Sequence, residues 1–356
     1  VSTGVAGTTA TVAMASGRAR AVARYLDANW PTGASGAIAT ARDGEPVGCQ
    51  GRGKANVETG ADAGCDTVFD IGSITKSFTA AAILKLETTG ALRVTDPIGT
   101  ILRAVPADKR GITVHHLLTH TSGLPEGLGD DYEPVRRDAM IARALAAPLD
   151  AVPGRTYAYS NVGYSLLAAI IEKVSGTGYG DYLTRNLFTP AGMTRTGYRL
   201  ADPCRDDIAV EYDSDGRSQG TPLDHPWAAD GPFWNLRGNG GLLSTARDML
   251  RWYRALEGES VLPAAAKAKM FTPHVSEGVP TQFYGYGWTI VTTPSGPIVT
   301  HNGGNDWSYA RVAIRPADHV MVFWVGNQAV RDGMWNLEDL DHTFTLGLLT
   351  LLASHP

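Results

Sequence analysis

The chain has 356 residues, 43% apolar and 19% charged, with a net charge of −5. That is enough apolar material for a substantial core and excludes a disordered chain. The negative balance, with basic runs no longer than Lys109-Arg110 and Arg136-Arg137, speaks against nucleic acid as a partner, and the longest apolar run, Phe344 to Leu352, is too short for a membrane span.

Residues 1–17 are small and rich in Thr, Ala and Gly, and are expected to be loose. Residues 18–30 predict an amphipathic helix with Ala21, Val22, Tyr25 and Leu26 inward and Pro31 as its stop. Residues 37–41 and 46–50 predict a hairpin turned at Asp43-Gly44. A short strand over 67–70 then hands over to a helix, whose apolar residues Ile74, Phe78, Ala81, Ala82 and Leu86 recur at steps of three or four until Gly90. Helices follow over 113–118, 134–146, 160–174, 179–188 and 244–256, with one weak strand candidate at 208–212. From 284 onward the period is two. Strands are predicted over 286–291, 297–300, 309–314 and 320–325, with turns at Gly303–Asp306 and Pro316–Asp318, and a last helix over 337–352.

Strands near both ends with helices between them predict an α/β fold of the α+β kind. One antiparallel sheet is built from both ends of the chain and flanked by helices, with a mostly helical domain inserted. The expected division is 1–80 and 261–356 for the sheet domain and 81–260 for the insertion. Cys49 and Cys65 flank the hairpin region and could pair in an oxidising compartment; three buried free thiols, with Cys204, is the alternative. The chain opens at Val1 rather than Met, and a trimmed leader would fit a secreted or periplasmic bacterial protein.

Three stretches carry chemistry. Ser73 and Lys76 stand three apart at a helix start, on one helical face, where backbone N–H groups favour developing negative charge. A lysine that little water reaches has a lowered pKa and can help deprotonate the serine. Tyr159-Ser160-Asn161 opens a second helix; a phenol beside an ammonium group titrates lower, and Asn161 has both donor and acceptor for a lysine or a substrate amide. His301-Asn302-Gly303-Gly304 ends an apolar strand, and its glycines let backbone N–H groups approach a ligand.

In this order and spacing the three stretches resemble the serine penicillin-recognising superfamily, which includes class C β-lactamases, D,D-peptidases and related esterases. Its patterns Ser-x-x-Lys, Tyr-x-Asn and Lys/His-x-Gly correspond to Ser73-Ile74-Thr75-Lys76, Tyr159-Ser160-Asn161 and His301-Asn302-Gly303. The loop Leu117 to Pro125 and the segment Gly238 to Thr245 resemble the family's as well. The resemblance implies a β-lactamase/transpeptidase-like fold and an acyl-enzyme on Ser73. Tyr159, biased toward phenolate by Lys76 and His301, would accept the proton, or Lys76 would. The N–H groups of Ser73 and Gly304 would form the oxyanion hole, and Asn161, Asn302 and Gly303 would line the substrate site. No metal or other cofactor is implied. The substrate would be a small-molecule or short-peptide acyl donor: a D-amino-acid peptide, a β-lactam or a small ester. A carboxylesterase or acyltransferase on the same fold, or a non-catalytic β-lactam or peptidoglycan sensor, are the rival readings. His301 replaces the lysine of class C β-lactamases and Asn302 a common threonine, which weighs against efficient β-lactam hydrolysis.

Other features read as bland. Gly216-Arg217-Ser218-Gln219-Gly220 has the nucleophile-elbow pattern but no apolar strand before it. His116 and His120, four apart, read as structural. Trp227, Phe233, Trp234, Trp307 and Tyr309 could line an apolar acyl pocket or pack under loops.

Overall fold

The computed structural model describes residues 6–200 and 207–354, with side chains from Gly17 onward. Cys204 lies outside the described residues. The first helix, α1 (Ala6–Asn29), starts well before the expected position, within the stretch read as loose. Alanines at 6, 10, 13 and 15 supply the helix propensity. Strands β1 (Gly36–Arg42) and β2 (Glu45–Arg52) form the hairpin. Asp43 and Gly44 both adopt positive φ, 52° and 75°, which gives the turn the twist of its strands.

Strand β3 (Val68–Asp70) leads through a 3₁₀ turn, Gly72–Ile74, into helix α2 (Thr75–Thr88). Helices α3 (Val114–Leu118), α4 (Arg137–Ala146) and α5 (Asn161–Ser175) follow. Ser160 caps α5 by accepting from the Gly163 N–H, and Gly176 ends it at φ 68°. Residues 208–212 form isolated bridges rather than a strand, Ile208 with Val68 and Tyr212 with Ser218. Strand β4 (Leu243–Thr245) pairs antiparallel with β3 and runs into helix α6 (Ala246–Glu257). This small ladder fixes the entry to Ser73 from a segment some 170 residues away.

The further strands of the main sheet are β5 (Val275–Ser276), β6 (Gln282–Tyr284), β7 (Thr289–Val291), β8 (Ile298–Gly304), β9 (Tyr309–Arg315) and β10 (Val320–Gly326), and helix α7 (Leu337–Ser354) follows. The main sheet has eight strands in the order β2-β1-β10-β9-β8-β7-β6-β5, antiparallel throughout. Gly36 pairs with Gly326 and Arg42 with Val320, so early and late strands meet inside one sheet. Two expectations change here. Residues 286–288 leave the sheet, because Gly287 turns at φ 74° with its Cα against the backbone of Lys76 and Ser77. Strand β8 continues through His301-Asn302-Gly303-Gly304, where a strand end and turn are predicted, since these residues pair with Val312 to Tyr309.

The sheet is buried on both faces. On one, Val22, Leu26 and Trp30 of α1 and Phe344 and Leu348 of α7 pack on Ile38, Val322 and Trp324. On the other, Ala37, Ala39, Val312 and Phe323 join a larger core with Phe78 and Ile83 of α2. Cys49 and Cys65 are joined by a disulfide, with their Cα atoms 5.8 Å apart. Among the described residues no helix is long and apolar enough to cross a membrane.

Candidate active site

Ser73 sits in the 3₁₀ turn that β3 delivers to α2. Lys76 follows on the first turn of α2 and is fully buried. Its Nζ donates to Ser73 Oγ at 2.9 Å and to the Asn239 carbonyl at 2.8 Å. Asn239 is itself held, its amide donating to Ser165 Oγ and to the Asn235 carbonyl. Burial pushes the Lys76 ammonium well below its ordinary pKa, and the carboxylates of Asp131 and Glu126 only partly offset this.

Tyr159 stands just before α5, with its phenol close enough to the Ser73 hydroxyl for the two to interact. Lys76 Nζ lies 4.7 Å from the centre of the Tyr159 ring. Ser73, Lys76 and Tyr159 therefore converge on one spot from two distant segments of the chain. The electrostatics differ from the expectation of a phenolate. Burial pushes the Tyr159 phenol up, and the nearby Glu126 and Glu277 carboxylates push it further. His301 is buried on β8 and its pKa falls to about 3, first through burial and then through Lys76. Its Nδ1–H donates to the Asn302 carbonyl and its Nε2 accepts from the Tyr284 hydroxyl at 3.0 Å. A neutral imidazole offers no charge to favour a phenolate. The site thus sets a neutral phenol and a neutral imidazole beside a Lys76 ammonium that burial makes easier to deprotonate.

Strand alternation decides the rest of the third stretch. His301 and Gly303 face Ser73; Asn302 faces the opposite side of the sheet with its partner Arg311. There Asn302 lies beside the Tyr309 phenol, which donates to Asp341 at 2.8 Å. Asn302 is thus not brought to the site, and Tyr309, packed on Trp324, does not line the cleft either. Gly303 is needed for contact: a Cβ there would stand 2.1 Å from the Ile71 carbonyl and 2.7 Å from the Ser73 nitrogen. A Cβ on Gly72, at φ 49°, would stand 2.4 Å from the Gly304 nitrogen. The Ser73 and Gly304 N–H groups are neighbours because both approaching segments carry glycine.

Asn161 is the first residue of α5, its N–H donating to the Glu126 carbonyl. Its Oδ1 is buried with no hydrogen-bond partner among the described residues. With Leu128, Asp131, Trp234 and Asn235 it lines a cavity of about 100 Å³. Trp307 stacks on His225, which stacks on Tyr132, the ring centres 4.6 and 4.7 Å apart. Trp227 packs edge-on against Tyr198. Ser218 is exposed in an isolated bridge with Tyr212, with no strand before it, so the elbow pattern has no elbow.

His116 is structural, capping α3 with Thr113. His120, expected to be structural too, is tied to the site. It is fully buried at φ 56°, its Nδ1 accepts the Ser160 N–H at 3.0 Å, and its ring lies 4.4 Å from that of Tyr159. It holds Tyr159 from the face and from the following peptide. Its place in the loop similar to the family's was the available signal; its role needed the fold.

Comparison with known proteins places the chain in a family. The Beta-lactamase family model matches residues 19–341. Penicillin-binding protein 4* of Bacillus subtilis is 33% identical over 274 residues, 71% of this chain and 59% of that protein. The chain thus spans about three fifths of that relative's length. The D-alanyl-D-alanine-carboxypeptidase/endopeptidase AmpH of Escherichia coli is 26% identical over 344 residues, 89% of this chain and 86% of AmpH. Esterase EstB of Burkholderia gladioli is 28% identical over 291 residues, 71% of this chain and 74% of EstB. Among solved structures, the octameric penicillin-binding protein homologue from Pyrococcus abyssi superposes with a TM-score of 0.78 at 29% identity, over 94% of this chain and 77% of that one. From the match along nearly its whole length, the chain belongs to the Beta-lactamase family.

Proposed function

We propose that this protein is a serine hydrolase that works through an acyl-enzyme on Ser73. The observation that carries the reading is the buried Lys76 amine 2.9 Å from Ser73 Oγ, with the Tyr159 ring centre 4.7 Å from that amine. Neutral Lys76 takes the Ser73 proton as Oγ attacks an acyl carbonyl. The N–H groups of Ser73 and Gly304 receive the oxyanion. Tyr159, beside Oγ, passes a proton to the leaving group and later orients the water that releases the acyl group. Lys76 and Tyr159 share protons as a pair, so each acts through the other's state.

The substrate class is D-amino-acid peptides, β-lactams or small esters, and both peptidase and esterase names occur among the relatives. Carboxylates act on the two central groups, Asp131 and Glu126 on Lys76, Glu126 and Glu277 on Tyr159. His301 is neutral and Asn302 is turned away. These surroundings favour uncharged or cationic acyl donors, small esters first, over substrates held by a carboxylate. The Cys49–Cys65 bond supports a secreted or periplasmic location.

The test is intact-protein mass spectrometry after incubation with a fluorophosphonate, a penicillin and a short-chain aryl ester. An adduct on Ser73 with turnover of the ester is the expected result. An adduct that never turns over identifies a sensor instead, and equal reactivity in Ser73→Ala ends the acyl-enzyme reading.

A further inference from the structure

Behind the Ser73 turn lies a polar cluster that the mechanism above does not use. Asp70 and Glu211 are both buried, 6% and 2% exposed, on segments remote in sequence. One side-chain amide bridges them: Asn305 Nδ2 donates to Asp70 Oδ2 at 3.2 Å and to Glu211 Oε1 at 2.8 Å. Asp70 Oδ1 accepts the Gly72 N–H at 2.7 Å, one residue before Ser73. Asn305 is one residue after Gly304, and its Oδ1 accepts from the N–H groups of Trp307 and Ser308 and from Ser308 Oγ. A single chain of hydrogen bonds thus runs from the Gly72 peptide to the loop that follows Gly304.

We propose that Asp70, Asn305 and Glu211 are positioning residues, which set the spacing of the Ser73 and Gly304 N–H donors by tying the two segments together. This rests on the acyl-enzyme reading of Ser73. The two donors come from β8 and from the β3–α2 turn, elements that share no backbone ladder with each other. The glycines let the segments approach; the Asp70–Asn305 bridge sets where they stop.

The charge state follows from the partners. Asn305 has two amide hydrogens and gives one to each carboxyl group. Two carboxylates in one buried site do not both ionise, so the pair keeps a proton. Burial raises both groups, and Asp70 raises Glu211 further. Asp70, which accepts from a backbone N–H as well as from Asn305, is the group to carry the charge. Glu211, whose Oε2 is buried without a partner among the described residues, is the group to carry the proton. Asp131 acts on Asp70, Asp306 and Ser308 act on Glu211, and the Tyr132 and Tyr198 phenols face the same cluster. Ionising Glu211 would place a second negative charge on the clamp and loosen it.

The experiment is steady-state and single-turnover hydrolysis of p-nitrophenyl acetate across pH for the wild type, Asp70→Ala, Asn305→Ala and Glu211→Gln, with thermal melts to establish folding. Folded Asp70→Ala and Asn305→Ala should lose on the order of 10²-fold in kcat and acylation rate with KM nearly unchanged. Glu211→Gln keeps an acceptor for Asn305 and cannot ionise, so its alkaline limb should move to higher pH. If the alanine variants do not fold, the Glu211→Gln profile decides alone. Wild-type kcat in either folded alanine variant, a loss carried by KM, or a Glu211→Gln profile superposed on that of the wild type would overturn the clamp. Activity surviving in Ser73→Ala would instead overturn the acyl-enzyme reading, so the two failures are separable.

Discussion

The two faces of the central sheet solve different problems with the same backbone. On the α1/α7 face Trp30, Trp324 and Phe344 pack ring against ring, with centres 5.6 to 6.0 Å apart, among Leu, Ile and Val side chains. On the other face the core interior holds Lys76, His120, Ser160, His301 and Asn239, all buried. There burial is tolerated because each group is neutral or bonded: Lys76 to Ser73 and Asn239, His301 to Tyr284 and Asn302. One face stores stability, and the other uses it to hold polar groups that water would otherwise solvate. Strand β8 shows the division within consecutive residues, with His301 and Gly303 on the Ser73 side and Asn302 on the other.

This division can be broken from either side. The largest effect belongs to Ser73→Ala, expected to cut ester turnover by at least about 10⁴-fold while the melting temperature stays near that of the wild type. A cooperative loss of folding would show that the serine is structural. On the opposite face, Trp324→Ala should remove about 3–5 kcal/mol of unfolding free energy in denaturant titrations, while active-site titration per folded molecule is unchanged. Loss of acylation in the folded fraction would show that the faces are coupled. Neighbours on β8 sharpen the contrast: Gly303→Ala should lower kcat on the order of 10²-fold, because its Cβ meets the Ile71 carbonyl and the Ser73 nitrogen. Asn302→Ala should change kcat by less than about twofold. Equal effects from the two substitutions would contradict the alternation.

A further, graded effect belongs to pH. His301 titrates at about 3 when folded against 6.5 when free. Below pH 6.5 the unfolded chain takes up a proton that the folded chain refuses, so stability falls as pH falls toward 3. The slope is up to about 1.4 kcal/mol per pH unit for this one group. Urea titrations at pH 7 and pH 5 should show the loss, and His301→Gln should flatten it. An unchanged slope in that variant would assign the acid sensitivity elsewhere.

Much of this was legible in the residues. The Ser73–Lys76 spacing predicts a shared helical face, and the two lie in hydrogen-bond contact. The strand pattern and the Asp43-Gly44 turn predict the hairpin that forms. Asn302 is the instructive miss, because period-two alternation already separates it from His301 and Gly303, whereas the resemblance grouped all three in one site. The Gly303-Gly304 pair reads as turn chemistry locally, and only the pairing with β9 shows it to be strand. The lowered Lys76 pKa was legible, but the raised pKa of Tyr159 was not, because sequence shows which groups meet, not how dry the phenol is. Asp70 and Glu211 left a weaker trace: Glu211 is the lone acid in the apolar run Ile208-Ala209-Val210-Glu211-Tyr212, where a carboxyl group is out of place unless paired.

The register that sets Gly36 opposite Gly326 also sets a timetable for synthesis. As the chain leaves the ribosome, β1 gains its hairpin partner β2 almost at once, but the strand for its other edge follows only after about 290 further residues. Until then a mostly apolar edge, Ala37-Ile38-Ala39-Thr40-Ala41, has no neighbour of its own. Truncation before Val320 would make that interval permanent, leaving the edge open to pairing with another nascent chain and to aggregation.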